Sequence, residues 1–138
     1  MGNRFSPRIP PTDDPGGKTP AAAHVREIVE NDYDDELGGV LPIVLDFYGT
    51  ESQACEALAP RFAAVAERFA GKVRFLKVLR QANAKLAARL GVTASPTLIF
   101  FVGGKEVGTR LAGDDIKRTE LKARVEAMLG DPAAVSAT

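Results

Sequence analysis

At 138 residues, with 45% hydrophobic and 26% charged side chains, the chain has the profile of one domain large enough for a core, and no second domain is expected. Eighteen basic residues balance eighteen acidic ones, which removes the broad attraction expected of a nucleic-acid or anionic-membrane binder. The single cysteine, Cys55, excludes an internal disulfide, and with the single histidine, His24, it supplies too few soft ligands for a structural zinc site. No cofactor is called for.

Residues 1–21 hold Pro7, Pro10, Pro11, Pro15 and Pro20 together with Gly16-Gly17, a density that breaks ladders and helix interiors and predicts a disordered tail. Gly2 to Ser6 fits a short N-myristoylation pattern, a weak one that reads first as an accidental match in a polar tail. The N-terminus lacks the apolar core of a secretion signal, and no stretch approaches the ~20 apolar residues of a membrane span, so a cytoplasmic location is expected.

Val25 to Val29 reads as a first strand with His24 at its surface start, and Asn31 as the cap of a short acidic helix over Asp32 to Leu37 before Gly38-Gly39. Leu41 to Tyr48 is apolar throughout except for Asp46, the pattern of a strand covered on both faces, and Gly49-Thr50 breaks it. Cys55, Leu58, Phe62, Val65 and Phe69 then recur at helical spacing. Ser52 lies one turn before Cys55 on that stripe, where free amide N–H groups and the helix dipole favour an oxygen or an anion. Either Ser52 caps this helix, or Thr50 with Gln53 forms a capping box two residues earlier. Val73 to Leu79 is a further buried strand, Gln81 to Leu90 a helix closed by Gly91, and Thr97 to Val102 a strand that turns at Gly103-Gly104 into Lys105 to Leu111. Asp114 or Asp115 caps a last helix with Leu121, Val125 and Leu129 on one face, and residues 131–138 show no amphipathic pattern. The order of elements calls for an α/β domain over 22–130, a mixed sheet sandwiched by helices, with both tails outside the core.

Several separated segments resemble the thioredoxin family in order and register. Asp46-Phe47 matches its strand motif, and Cys55 the second cysteine of its Trp-Cys-Gly-Pro-Cys turn. Pro60 matches the proline five residues later, Lys77 a strand lysine, and Ser95-Pro96-Thr97 its cis-proline turn. The resemblance covers roughly residues 22–130 and implies the thioredoxin fold with a cis-proline loop at Pro96. The departures fall on the chemistry: Glu51 replaces the motif tryptophan, Ser52 the first cysteine, Gln53 the glycine and Ala54 the proline. Within the family, Ser-Gln-x-Cys is most similar to the thioredoxin domain of bacterial chaperedoxins, for whose helical repeat domain no counterpart is expected in these 138 residues.

In the family the first motif cysteine attacks a disulfide and the second resolves the mixed disulfide. Ser52 cannot form a disulfide, so the resemblance implies that the ordinary two-thiol cycle is missing. It also implies that Asp46 and Lys77 lie behind Cys55 as the groups that assist its deprotonation; alternatively Cys55 is a small core residue with an inert thiol. The backbone before Pro96, with Tyr48, Ala94 and Ser95 nearby, is implied to pair with an extended peptide. The expected function is a redox-inactive, polypeptide-binding protein of chaperone or assembly type, with a client polypeptide or partner protein. The rivals are an enzyme of cell redox homeostasis that uses Cys55 as a single thiol, and a regulatory module that uses the tail.

Overall fold

The computed structural model describes residues 24–50 and 52–130. The expectations for residues 1–21 and 131–138, including the Gly2 to Ser6 pattern, fall outside the described residues. Six strands form one sheet in the order β1 (Val25–Glu27), β3 (Arg74–Leu79), β2 (Ile43–Tyr48), β4 (Thr97–Val102), β5 (Lys105–Glu106), with β6 (Leu111–Ala112) also paired to β4. β1, β3 and β2 run parallel, while β4 is antiparallel to β2 and to the two short strands after it. The mixed character follows from the connections: β2 reaches β3 through the long helix α2 (Gln53–Arg68), whereas β4 turns back at Gly103-Gly104 without a crossover.

β2 is apolar on both faces because helices cover both. Val44 faces the cluster of Leu58, Phe62, Val65, Phe75, Leu98, Leu121 and Val125, beneath α2 and the last helix, α4 (Arg118–Met128). Ile43, Leu45 and Phe47 face the other cluster, with Leu76, Val78 and Ile99, against Tyr33 of α1 (Tyr33–Glu36) and Leu86 of α3 (Ala84–Leu90). By alternation, Asp46 and Tyr48 point with Val44 toward α2, and on β3 Lys77 points that way with Phe75. Phe62 and Phe75 meet edge to face at 5.3 Å between centroids.

The α2 stripe is buried as the spacing predicts, from Cys55 through Leu58, Phe62, Val65 and Phe69, and Pro60 sits within the helix. Other boundaries differ from the sequence expectations. β1 ends at Glu27, and Val29 is half exposed at the start of a 3-10 turn over Glu30–Asp32. Asn31 lies inside that turn and caps nothing; the Asp32 carboxylate instead accepts from the Val29 amide, and α1 spans only Tyr33–Glu36. α3 begins at Ala84, because Asn83 is tied to the Leu79 carbonyl and the Glu30 amide. The predicted strand over Lys105 to Leu111 is two short ones, separated around Gly108 with φ +69°. Neither Asp114 nor Asp115 caps α4, whose N-cap is Lys117; Asp115 pairs with Arg61 and Lys117 instead. Leu129 lies one residue past α4 and is exposed, so only Leu121 and Val125 carry that face.

Candidate functional site

α2 begins where the extended backbone of Ser52 (φ −120°, ψ 118°) gives way to Gln53. The Ser52 hydroxyl accepts a hydrogen bond from the Cys55 amide at 3.2 Å, which satisfies one of the free N–H groups of the first turn. The Thr50 capping box does not form. Thr50 is held instead by Gln81, whose side-chain oxygen accepts from the Thr50 amide and whose NH2 donates to the Thr50 hydroxyl. Cys55 faces inward on the first turn, 8% exposed, and its sulfur accepts from the Gly49 amide at 3.3 Å.

Register decides what lies beneath the thiol. Asp46 on β2 pairs with Lys77 on β3, and Lys77 with Glu27 on β1, so three charges of alternating sign cross the sheet in one row on the α2 side. Glu27 and Lys77 touch water, but Asp46 is 6% exposed and its Oδ1 has no hydrogen-bond partner. Burial raises its pKa to about 7, with Lys77 opposing the rise. Lys77 carries its ammonium 5.2 Å from the centre of the Tyr48 ring, and the Tyr48 hydroxyl donates to Glu27. Burial and then this carboxylate push the Tyr48 pKa up to about 12. Asp46, Tyr48, Cys55 and Lys77 all line one cavity of about 290 Å³ between the sheet and α2.

A second, more open depression of about 590 Å³ lies on the other side of the α2 start, lined by Ser52, Gln53, Ala54, Ala57, Ser95 and Asp114. The Ser95–Pro96 peptide is cis. Of the four residues expected to hold a peptide, Ser95 alone lines this groove. Pro96 is buried and Ala94 is exposed beside it, with the Ala94 carbonyl accepting from the Thr97 hydroxyl. Tyr48 belongs to the cavity on the far side, because strand alternation sets it beside Asp46 and Glu27 holds its hydroxyl.

The sequence reading missed the bracing of this region. Arg80 donates to the Ser95 hydroxyl at 2.8 Å and its amide donates to the Tyr48 carbonyl, so the segment after β3 ties the motif turn to the Ser95 loop. Arg80 and Gln81 follow a strand end with no motif of their own, and polar residues there signal only a turn. Asp114, read as a helix cap, is a groove wall.

The thioredoxin family model matches residues 24–127. Among curated relatives, the chain is 33% identical over 94 residues to a thioredoxin from Haemophilus influenzae, covering 66% of this chain and 86% of that one. It is 36% identical over 83 residues to an H-type thioredoxin from Chlamydomonas reinhardtii, covering 60% and 74%. It is 31% identical over 71 residues to thioredoxin 1 from Nostoc, covering 51% and 66%. With a family match over most of its length and a mixed sheet flanked by helices, the chain belongs to the thioredoxin family.

Proposed function

We propose that this thioredoxin-family protein binds an extended polypeptide segment without turning over disulfides, as a chaperone or assembly factor, in the manner suggested by its Ser-Gln-x-Cys likeness to chaperedoxin thioredoxin domains. One observation carries the reading: the hydroxyl at the attacking position, Ser52, is engaged as the helix cap, 3.2 Å from the Cys55 amide. A serine there supplies no thiolate for the first step of exchange. The groove beside Ser95 supports the binding half, since Ser52, Gln53 and Asp114 give it polar walls and Cys55 is no part of its lining. Main-chain pairing with an extended segment would therefore be independent of the thiol.

The single-thiol alternative draws on a different observation, the placement of Cys55, Asp46 and Lys77 around one cavity. A carboxyl that titrates near neutrality is a usable proton acceptor there. Against it stands the burial of Cys55.

Insulin disulfide reduction with dithiothreitol, combined with iodoacetamide labelling of the native protein, separates the two. The proposal expects turnover at background and labelling of Cys55 only after unfolding; Ser52→Cys should raise turnover above background. Robust turnover by the unaltered chain would overturn the non-redox reading, and fast native labelling would move the weight to the single thiol.

A further inference from the structure

The geometry points to a small-molecule site in the cavity between β2, β3 and α2, selective for a neutral primary carboxamide on an apolar body of about one ring. This site is separate from the polypeptide groove and does not rest on it. Asp46 lines the cavity, and its Oδ1 is buried and lacks a hydrogen-bond partner. Buried polar atoms are almost always satisfied, so an acceptor left open calls for an occupant that donates to it.

Lys77 stands opposite Asp46 in register on the same face, lines the same cavity, and makes no ion pair among the described residues. An acceptor and a donor on neighbouring strands are thus presented side by side, at the ~4.8 Å strand spacing, without satisfying one another. A carboxamide fits both, its NH2 donating to Asp46 and its carbonyl accepting from Lys77. A carboxylate would meet the ionised form of Asp46 with like charge, and an amidinium would meet Lys77. Val25, Ala59, Phe62 and Ala63 give the cavity an apolar wall, the exposed Glu56 lines it as well, and about 290 Å³ lies at the small end of ligand pockets, which excludes a nucleotide.

The test is a methyl NMR titration of the full chain with benzamide, alongside toluene, benzoate and benzamidine. Saturable shifts of the Val25, Ala59 and Ala63 methyls are expected at millimolar benzamide, an affinity suited to so small a molecule. The other three probes should bind roughly tenfold more weakly, the effect of one or two mismatched hydrogen bonds. Ala63→Leu should fill the cavity and abolish the shifts. Lys77→Met, at a half-exposed site, should reduce benzamide to the level of toluene even if the leucine variant folds poorly. No saturable shift with any probe would mean that the cavity holds water only, and overturn the site. Toluene binding as well as benzamide, or benzamide unaffected by Lys77→Met, would overturn the carboxamide selectivity.

Discussion

Asp46→Asn should stabilise the protein, and by an amount that grows with pH. The folded-state pKa of Asp46 is raised to about 7 from 3.8 by burial in the central strand. Between these values the folded state binds more protons than the unfolded one, so stability falls as pH rises. The contribution of the protonated carboxyl is fully present below about pH 4 and is lost as pH passes through 7. A pH unit between the two pKa values is worth on the order of 1 kcal/mol, so the unaltered protein should lose about 2–3 kcal/mol between pH 5 and pH 8 through this group. The amide variant does not titrate and escapes that loss. Because Asp46 Oδ1 has no partner to lose, the substitution sacrifices no hydrogen bond at that atom. Urea denaturation at the two pH values reads the difference directly. With a slope of about 1–2 kcal/mol per molar urea, the midpoint advantage of Asp46→Asn should widen by roughly 1–2 M from pH 5 to pH 8. A gap that stays constant with pH, or an Asn variant less stable than the parent at pH 8, would show that Lys77 stabilises the ionised carboxylate more than burial penalises it.

Ser52→Ala should cost about 1 kcal/mol through loss of the α2 cap, a fall of about 4–8 °C in Tm, whereas Thr50→Ala should stay within about 0.5 kcal/mol; equal effects would contradict Ser52 as the cap. Phe62→Ala should cost about 3–5 kcal/mol, since the ring is 2% exposed and packs edge-on against Phe75; a loss under about 1 kcal/mol by denaturant titration would mean that this face of the sheet is not a packed core.

The sheet and the long helix were legible because their signals are periodic and dense. Ile43 to Tyr48 is apolar but for Asp46, Leu98 to Val102 is an unbroken apolar run, and the α2 stripe repeats over four turns. Register, which sequence alone does not give, is what sets Glu27, Lys77 and Asp46 in one row and turns Tyr48 away from the Ser95 groove. The short pieces failed for a shared reason. Asn31, Asp114 and Asp115 are good caps by type, but tertiary hydrogen bonds and ion pairs decided otherwise: Asn83 reaching Glu30, and Asp115 reaching Arg61. Ser52 and Thr50 were equal candidates until Gln81, 31 residues away from Thr50, claimed the threonine. The groove walls came from residues far apart in sequence, Gln53, Ser95 and Asp114, which no local pattern unites.

The most direct measurement of the central claim is the affinity of a cysteine-free, unfolded polypeptide for the unaltered protein and for Cys55→Ala, both under reducing conditions. Saturable binding with the same Kd for both is the predicted result, since the groove of Ser52, Gln53 and Ser95 does not include the thiol. No binding to either, or binding that Cys55→Ala abolishes, would contradict a polypeptide-binding role independent of disulfide chemistry.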